Sequence, residues 1–367
     1  MSGSTYGTIF SITTWGESHG DGIGVVVDGC PAGLKLQEAD IQAYLNRRKP
    51  GQTKYSTPRK EEDKVAILSG FFEGRTTGTP ISLVVMNENQ RSGDYTQIAS
   101  YYRPGHADYT FDQKFGFRDY RGGGRSSGRE TIGRVAAGAI AASILEDLGI
   151  SVRAYTKAIG PIYIDPAKSN LENINKSPLS MPDLEASRLA EDYLLKLLED
   201  HDSAGGIIEC IVTGMPAGIG EPVFDKLDSA LAKAIMSIGA VKGVEIGDGF
   251  GAAAVTGAVN NDPFFYHEQT GILKTSNHAG GILGGISDGS DLVLRAAIKP
   301  TPSIFRSQKT VNHEKENLEI QIKGRHDPII VPRAVVVVEA MVAITLVDQL
   351  FLGMTSRLDK VKEFYHR

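Results

Sequence analysis

Two stretches of the sequence are apolar on every side, and a helix of that kind has to be buried. The first, residues 135–142 (VAAGAIAA), continues as a predicted helix to Leu148, and Gly149 ends it. The second, residues 330–352, has Pro332 in its first turn, but the four valines at 335–338 keep a strand open as an alternative. The chain is therefore expected to fold around interior helices.

The remaining periodicity predicts strands and helices that mix without a regular βαβ rhythm, which argues against a Rossmann fold or a barrel. Further helices are predicted at residues 36–48, 183–200 and 224–238. The predicted strands lie at residues 8–15, 23–28, 65–68, 81–86, 151–164, 207–212, 241–246, 292–299 and 318–323. The fold class is mixed α and β (α+β), and no repeat or clear linker divides the 367 residues.

Charge and composition argue against several classes of protein. The net charge of –5 gives no general attraction to nucleic acid or to a membrane surface. The longest apolar run, residues 334–347, contains Glu339 and is too short to span a bilayer. The N-terminus lacks the features of a signal peptide, and Cys30 and Cys210 have neither disulfide nor metal spacing. These features indicate a soluble cytoplasmic protein with reduced thiols.

Residues 120–134 combine three consecutive glycines, two adjacent serines and four arginines. Glycine lets a backbone approach a ligand closely, and a helix start offers N–H groups to an anion. Arginine adds a planar fork for phosphate or carboxylate. Arg121, Arg125 and Arg129 should repel one another unless an anion lies among them. The segment therefore predicts an anion-binding loop in preference to a flexible, solvated one.

Histidines recur in other glycine loops. His19 occupies a predicted hairpin tip, and His106 follows Pro-Gly, with Asp108 placed to orient or charge its imidazole. His278 and His326 lie in two later loops. Residues 47–60 add six cations and no acid, although a solvated basic loop explains them as well. Together these loops predict a small polyanionic substrate, held by arginines, and histidines that transfer protons near neutral pH.

Two other functions remain as weak alternatives. The pattern G-x-S-x-G occurs at residues 16–20, 124–128 and 285–289, as in the nucleophile elbow of a serine hydrolase. None of the three has the required strand before the serine and helix after it. An RGG triplet at residues 121–123 suggests anion or RNA binding, but a single copy in an acidic chain argues against it. Residues 247–252 fit G-x-G-x-x-A without the βαβ context that dinucleotide binding needs.

Five motifs in order closely resemble the chorismate synthase family. They are residues 16–20 (GESHG), 103–108 (RPGHAD), 121–127 (RGGGRSS), 276–282 (SNHAGGI) and 324–328 (GRHDP). The resemblance runs from about residue 5 to about residue 350. Lys54, Gly128 and Pro302 depart from the family's usual arginine, alanine and serine. Lys54 keeps the charge but loses the arginine fork, which weakens the expectation for that contact.

The resemblance implies the activity. The family converts 5-enolpyruvylshikimate 3-phosphate to chorismate by 1,4-anti elimination of phosphate, in the shikimate pathway to aromatic amino acids. Reduced FMN is required but not consumed; it is thought to lend an electron and to accept the ring proton at its N5. The implied fold is a β-α-β sandwich with buried central helices, here one domain over residues 1–367, assembled as a homotetramer.

The resemblance also implies roles for individual residues. His106 would be the general acid at the leaving phosphate, His19 would protonate the reduced flavin, and Asp327 would help the flavin act as a base. Substrate contacts would fall at Arg48, Lys54, Arg129 and Arg134. The expected flavin contacts are Arg125, Ser126, Ser127, Gly239, Ala240, Gly284, Lys299, Pro300, Thr301, Pro302, Ser303 and Arg325. Arg125 and Arg325 would help neutralise the substrate, and no metal is expected.

The source of reducing power is left open by the sequence. Flavin reduction would come from NADPH at this chain or from an external flavin reductase. Nothing in the sequence reads as a nicotinamide site, which favours reduction from outside. The expected partners are thus the phosphorylated substrate, FMN and other copies of the chain, with no nucleic acid and no membrane.

Overall fold

The computed structural model describes residues 3–51, 55, 61–87, 99–322 and 327–366. Its strands, in chain order, are β1 (Thr5–Tyr6), β2 (Ser11–Gly16), β3 (Gly22–Asp28), β4 (Val65–Ile67), β5 (Phe71–Phe72), β6 (Arg75–Thr76), β7 (Ile81–Met86), β8 (Ser151–Ile159), β9 (Ile162–Tyr163), β10 (Gly206–Thr213), β11 (Val241–Ile246), β12 (Phe264–His267), β13 (Gly271–Lys274), β14 (Ile282–Leu283), β15 (Ile286–Ser287), β16 (Leu292–Ile298), β17 (Ser307–Val311) and β18 (Asn317–Gln321).

The α-helices are α1 (Glu38–Arg48), α2 (Asp108–Phe115), α3 (Thr131–Asp147), α4 (Leu184–Glu199), α5 (Leu227–Met236), α6 (Gly257–Asn260), α7 (Val331–Leu352) and α8 (Leu358–Tyr365). Short 3-10 turns occur at Gly124–Ser126, Gly128–Glu130, Pro166–Lys168, Leu171–Asn173, Val223–Asp225, Gly249–Ala254 and Gly353–Thr355.

Two antiparallel sheets enclose the helical core. The first sheet has the strand order β1-β2-β3-β7-β4, and the second has the order β11-β16-β10-β8-β9. Helix α3 packs on β2, β3 and β7 of the first sheet, while α7 packs on β8 and β10 of the second, and the two helices contact each other. The arrangement confirms the predicted α+β sandwich with central helices.

Small residues set how closely the layers approach. A Cβ added at Gly138 of α3 would lie 2.2 Å from the Cβ of Ala340 on α7, so only glycine permits this crossing. A Cβ at Gly133 would lie 3.2 Å from the carbonyl oxygen of Gly24 on β3. The small residues of α3 therefore allow it to pack closely between a sheet and a second helix.

Strand alternation explains which faces meet the core. Along β16, Leu292, Leu294 and Ala296 are buried against the helices, and the residues between them face the opposite side. On that opposite side, Glu209 of β10 accepts hydrogen bonds from Tyr155, Lys157 and Arg295. The outer face of the second sheet therefore carries an ion-pair network, whereas its inner face is apolar.

Helix α7 settles the ambiguity at residues 335–338 in favour of helix. Val335, Val336, Val337 and Val338 are all buried, which shows that packing has overridden the strand preference of β-branched residues. The helix is long and apolar enough to cross a membrane by composition alone, but 83% of its most apolar window is buried inside the molecule. It is a core helix.

Three other predicted elements needed correction. The strand predicted at residues 151–164 ends at Ile159; the chain turns at Gly160, which has a φ of 51°, and returns as the short antiparallel strand β9. The helix predicted from residue 224 begins at Leu227, because residues 223–225 form a separate 3-10 turn. The strand predicted at residues 8–15 begins only at Ser11 as β2, because residues 7–10 form the turn that connects it to its antiparallel neighbour β1.

Candidate functional site

His19 lies where β2 turns into β3, as the hairpin prediction required. Ser18 Oγ lies 3.1 Å from the Nδ1 of His19. A Cβ added at Gly122 would come within 2.2 Å of that same nitrogen, so the 120–134 segment passes directly over the imidazole. Asn87 donates hydrogen bonds to the carbonyl oxygens of Glu17 and Gly20, which fixes the hairpin tip. The motifs at residues 16–20 and 121–127 therefore meet in space.

Arg125 holds the end of β2. Its guanidinium donates to the Thr14 hydroxyl at 2.6 Å, to the Thr14 carbonyl at 3.0 Å and to the Gly16 carbonyl at 3.1 Å. Thr14 Oγ1 in turn donates to Glu130, whose other carboxylate oxygen accepts from Arg134 at 2.8 Å. Two predicted ligand-binding arginines thus lie on either side of one buried carboxylate, which fixes the spacing of the two cations.

Arg48 and Arg129 share a second buried carboxylate, that of Asp63. Arg48 is 2% exposed and donates to Asp63 at 2.9 Å and to the Gly128 carbonyl at 3.1 Å. Arg129 pairs with the other oxygen of Asp63, with Glu61, and with the side chain of Asn87 at 2.7 Å. The end of α1 is therefore connected to the start of α3 through charged groups.

These contacts correct one sequence-based argument. The arginines of the 120–134 segment need no ligand to avoid mutual repulsion, because each has a protein partner. Arg121 is paired with Asp119 at 2.6 Å, Arg125 with backbone oxygens of β2, and Arg129 with carboxylates from residues 61–63. A bound anion would therefore compete with existing partners instead of filling an uncompensated cluster.

Arg333, on the first turn of α7, was not anticipated from the sequence. It donates to Asp327 Oδ2 at 2.6 Å and to the Arg48 carbonyl at 3.1 Å. Burial and then the nearby charge of Arg48 lower the pKa of Arg333. A cation in the first turn of a helix opposes the helix dipole and needs an anionic partner. That mismatch, in an otherwise apolar segment, is the signal that would have revealed it.

His106 is held by two hydrogen bonds. Its Nδ1 lies 2.9 Å from the Pro104 carbonyl oxygen, and its Nε2 lies 2.8 Å from Ser303 Oγ. A carbonyl only accepts, so Nδ1 carries the proton and the neutral ring accepts at Nε2 from Ser303. Burial and then the charge of Arg103 lower the pKa of the His106 imidazole. The surroundings of His106 therefore favour the neutral form of its ring.

Asp108 does not orient this ring, contrary to the sequence-based expectation. Its carboxylate accepts from Arg103 at 2.7 and 2.8 Å and pairs with Arg118 at 3.0 Å. Although burial favours the neutral acid, the hydrogen bonds and charge of Arg103 hold the pKa of Asp108 below its usual range. Asp108 acts on His106 only through its charge, and its direct role is to fix the loop at residues 103–108.

Residues 299–303 contact the His106 loop directly. Lys299 Nζ donates to the Gly105 carbonyl at 2.9 Å, and a Cβ at Gly105 would lie 2.7 Å from Pro302. Thr301 Oγ1 is buried without a hydrogen-bond partner in the described part of the chain. An orphaned buried hydroxyl in a predicted flavin loop is a group that a bound ligand would satisfy.

The segment 237–240 connects these two groups of loops. Arg134 donates to Ser237 Oγ at 2.6 Å, and the Ala240 carbonyl accepts from the Lys299 backbone at 2.9 Å. Ala240 has a φ of 72°, a left-handed conformation that a non-glycine residue seldom adopts. Residues 16–21, 103–108, 120–134, 237–240 and 299–303 thus form one continuous region, here called the arginine end.

Two predicted loops lie elsewhere. His278 Nδ1 donates to Asp248 Oδ2 at 2.7 Å, beyond the opposite end of β11. Gly284 lies in the turn between β14 and β15, beside the start of α5, where the Gly285 carbonyl accepts from the Leu227 backbone at 2.8 Å. Residues 247–291 make up this second region, here called the hairpin end. In the described part of the chain, the hairpin end and the arginine end lie at opposite ends of β11 and β16.

The remaining predicted site residues complete the survey. Ser126 is the last residue of the first 3-10 turn of the arginine end, and Ser127 lies between that turn and the next. Gly239 and Pro300 are adjacent to Ala240 and Lys299, whose backbones are hydrogen-bonded. Lys54, Arg325 and His326 lie outside the described residues. In the described part of the chain no group of three or more histidine, cysteine, aspartate or glutamate side chains is arranged for a metal ion.

The geometry gives no support to a serine hydrolase. Ser18 precedes a strand, and Ser126 lies on a 3-10 turn. Ser287 is 3% exposed and its hydroxyl donates to the Pro216 carbonyl at 2.6 Å. Of the three, none described here stands at the strand-to-helix turn that a nucleophile elbow requires.

Comparison with known proteins gives the same family as the sequence motifs. The family model for chorismate synthase matches residues 10–351. The chain is 69% identical over 367 residues to the chorismate synthase of Lachnoclostridium phytofermentans, covering 100% of both chains. It is 55% identical over 353 residues to that of Methanosarcina barkeri, covering 95% of this chain and 96% of the relative. A solved crystal structure of chorismate synthase superposes with a TM-score of 0.77 at 31% identity, covering 98% of this chain and 97% of the other.

The fold, the ordered motifs and these relatives define a lyase with a layered α+β architecture. The chain belongs to the chorismate synthase family. Its reaction is the elimination of phosphate from 5-enolpyruvylshikimate 3-phosphate to give chorismate, a step in aromatic amino acid biosynthesis. The family as a whole uses a flavin cofactor.

Proposed function

We propose that the arginine end is the active site, that reduced FMN is the flavin it requires, and that the residues expected there have the roles the family implies. The observation that carries this proposal is the contact of His106 Nε2 with Ser303 Oγ at 2.8 Å. It joins the predicted general acid to the predicted flavin loop, although the two are 197 residues apart in sequence.

The residues at the arginine end fit a flavin phosphate and ring. Lys299 supplies a mobile point charge, the orphaned Thr301 hydroxyl supplies a donor, and Arg125 supplies a guanidinium 27% exposed. The left-handed Ala240 brings backbone close to the same loop. The full set of proposed flavin contacts is Arg125, Ser126, Ser127, Gly239, Ala240, Lys299, Pro300, Thr301, Pro302, Ser303 and Arg325 at or near the arginine end, and Gly284 at the hairpin end. When bound in its reduced form, the flavin supplies an electron to the substrate and the base that accepts the proton from the substrate's ring.

His106 is proposed as the general acid at the leaving phosphate. The ring is neutral in the ligand-free chain because burial and Arg103 oppose its protonation. A phosphate brought close to Nε2 favours the imidazolium, and the proton at Nε2 then stabilises the departing oxygen. Ser303 holds the neutral ring by donating to Nε2, and the phosphate oxygen replaces Ser303 as the partner of Nε2 once that nitrogen gains the proton.

Arginines and one lysine are proposed to hold the two carboxylates and the phosphate of the substrate. Arg48 and Arg129 already bind carboxylates of the chain, so the substrate exchanges one set of anionic partners for another. Arg134 and Lys54 complete the proposed substrate contacts. Because Arg48 is nearly fully buried and braced by Gly128, its fork is preorganised and little side-chain entropy is lost on binding.

Two further side chains are proposed to move or control protons at the flavin. His19, covered by Gly122, supplies a proton toward the reduced ring. Asp327 helps the flavin act as a base there, and its ion pair with Arg333 at 2.6 Å holds the carboxylate in place. These roles are supported by position: Asp327 pairs with Arg333, which also binds the Arg48 carbonyl, and Asn87 connects the His19 loop to Arg129.

The wider setting is also proposed. A single cluster of buried apolar residues extends from Phe10 to Val347, which supports one domain over residues 1–367. The chain would act in the cytoplasm as a homotetramer. Its flavin would be reduced by an external reductase, with NADPH at this chain as the alternative.

The test is direct. The purified protein is incubated anaerobically with dithionite-reduced FMN and 5-enolpyruvylshikimate 3-phosphate, and phosphate release is measured. Release that requires both the reduced flavin and the protein supports the proposal; release that is independent of flavin would refute the cofactor assignment. Repeating the assay with NADPH in place of dithionite separates reduction at this chain from dependence on an outside reductase.

A further inference from the structure

Arg333 contacts two of the proposed site residues at once. Its Nη1 donates to Asp327 Oδ2 at 2.6 Å, and its Nε donates to the Arg48 carbonyl oxygen at 3.1 Å. Arg48 is the last residue of α1, and the carbonyl groups of a last helical turn have no partner within their own helix. One guanidinium on the first turn of α7 therefore joins the end of α1 to the carboxylate that precedes α7.

Electrostatics argue against a purely structural reason for this arginine. A cation in the first turn of a helix opposes the helix dipole. Only 23% of the Arg333 side chain is exposed, and burial and then the charge of Arg48 lower the pKa of the Arg333 guanidinium. Apolar packing in place of a buried ion pair is often neutral or stabilising, and Val331 in the same turn is packed in that way. Stability alone therefore does not account for a cation at this position.

The chain beyond Asp327 also contacts the proposed flavin loop. The Ala204 backbone donates to the Pro328 carbonyl at 2.9 Å, and the Ser203 hydroxyl donates to the Thr301 carbonyl at 2.7 Å. Because adjacent residues make these two links, two hydrogen bonds connect the backbone next to Asp327 with the flavin loop. The carboxylate is thus tied to the flavin side of the arginine end through its backbone and to α1 through its side chain.

We propose that Arg333 is a positioning residue for the elimination: it holds the Asp327 carboxylate at a fixed place relative to the end of α1 that carries Arg48. This inference rests on the proposed function, because it takes Asp327 to assist the flavin and Arg48 to bind the substrate. Proton removal and phosphate departure occur on one substrate ring, so a shift of either group relative to the other misplaces the reacting atoms. Arg333 acts through these two residues and not through a contact of its own with the substrate.

A lysine at this position would keep the charge but lose the geometry. Nε and Nη1 belong to one rigid planar group, so the directions of their N–H bonds are fixed relative to each other. The ammonium group of lysine is a point charge on a flexible stem and sets no spacing between two partners. The backbone of Arg333 is itself held in place, because Val331 and Val335 on either side of it are buried in the core.

The second sheet contains an arginine with the same types of contact. Arg295 Nε donates to Glu209 at 2.6 Å and its Nη1 donates to the Gly247 carbonyl at 2.7 Å, while 21% of its side chain is exposed. It matches Arg333 in burial and in the chemistry of its partners, but neither partner is a proposed contact of substrate or flavin. Comparing the two arginines separates loss of positioning from loss of a partly buried ion pair.

Substrate binding to the flavin-free protein tests the link to Arg48. Arg333→Lys should raise the calorimetric Kd of 5-enolpyruvylshikimate 3-phosphate by about threefold to tenfold, because the end of α1 loses its anchor. Arg295→Lys should leave that Kd unchanged, and the two variants should unfold at similar temperatures. A Kd for Arg333→Lys equal to that of wild type would overturn the link to Arg48 and the proposal with it.

The kinetic isotope effect tests the link to Asp327. With reduced FMN, Arg333→Lys should lower kcat by about 10–10²-fold. Substrate deuterated at the ring carbon that loses its proton should then show a larger isotope effect on kcat than in wild type, because proton removal limits the rate more strongly. A variant that is only less stable contains fewer active molecules, which lowers the apparent rate without changing the isotope effect. An isotope effect equal to that of wild type would overturn the proposal.

A double-mutant cycle tests whether Arg333 acts through Asp327. If it does, the loss of kcat caused by Arg333→Met should be at least about tenfold smaller in the Asp327→Asn background than in wild type, whereas independent effects multiply. The kcat values are counted per flavin site titrated in each protein. Arg333→Lys takes the place of Arg333→Met in the cycle if the methionine variant does not fold. Effects that multiply would overturn the proposal.

Failure of the positioning role is distinguishable from failure of the proposed function. Wild-type protein that releases no phosphate with reduced FMN would contradict the proposed function itself. An active wild type, together with an Arg333→Lys variant that equals Arg295→Lys in Kd, kcat and isotope effect, would leave the proposed function in place and overturn the positioning role alone.

Discussion

The arginine end and the hairpin end are alike in sequence and different in structure. Both are rich in glycine, and each contains histidines beside acids or arginines. At the arginine end, cations from four separate loops surround His19 and His106, and several remain partly exposed. At the hairpin end, Lys274 is buried between two carboxylates, and several large aromatic and aliphatic side chains are exposed.

The difference shows that a loop rich in glycine and histidine does not by itself specify a ligand site. At the arginine end the glycines bring backbone against functional side chains, as Gly122 does over His19. At the hairpin end they permit close packing of backbone on backbone: a Cβ at Gly247 would lie 2.1 Å from the His278 carbonyl oxygen. The same composition therefore supports a ligand site in one place and a rigid surface in the other.

The largest expected effect concerns the acid at the arginine end. His106→Ala should lower kcat with reduced FMN by about 10²–10⁴-fold, since that is the usual contribution of a general acid. The matched control is His366→Ala, an exposed histidine after α8, which should leave kcat unchanged. Steady-state phosphate release measures both, and a His106→Ala enzyme within a few-fold of wild type would show that the ring is only structural.

The next effect tests the rigidity of the hairpin end. Lys274→Met leaves Asp262 and Asp288 buried without their cation, and removing one partner of a buried pair costs about 3–5 kcal/mol. Chemical unfolding should show that loss of free energy. Lys168→Met, which removes the exposed partner of Glu185, should leave the unfolding curve where it was. Equal stability of the two variants would mean that the triad does not hold the hairpin end.

Much of the fold was predictable because local pattern and burial agree. The strands at residues 81–86 and 241–246 and the helix beginning near residue 183 follow the sequence periodicity closely. Asp183 caps that helix by accepting from the backbone N–H groups of Glu185 and Ala186, a signal that is visible in the sequence. The hairpin of β12 and β13 was missed, since its exposed aromatic residues show no alternation toward this chain's core.

Residue type and family motif were enough to predict which residues form the site, but not which side chains those residues contact. The sequence identified Arg48, Arg129 and His106 as chemistry-bearing residues, yet it could not show that Asp63 and Ser303 would be their neighbours. Such pairs are remote in the chain and are joined only by tertiary packing. The division of Gly284 from Lys299 was hidden for the same reason, because one ordered set of motifs does not reveal which end of a sheet each loop occupies.

A smaller effect would sharpen the role of the arginine end in binding. Arg48→Lys keeps the charge but loses the fork that reaches both Asp63 and Gly128, so KM for the phosphorylated substrate should rise about tenfold with a smaller change in kcat. The neighbouring Arg47→Lys is the control, because Arg47 is half-exposed and pairs with Glu339. If the two variants have the same KM, Arg48 supports structure and does not contact substrate.

The smallest effect is a displacement between two pH profiles. In the free chain, burial and Arg103 lower the pKa of His106, so its acidic form is lost as pH rises through a value below the ordinary one. With substrate bound, the phosphate charge opposes that lowering. Because kcat/KM reports the free enzyme and kcat the complex, kcat should persist to higher pH than kcat/KM. Phosphorus NMR of the free substrate gives the phosphate's own titration, which is subtracted from the kcat/KM profile. Coincident profiles after that correction would mean that the imidazole does not face the phosphate, and the contrast with the hairpin end would then rest on binding alone.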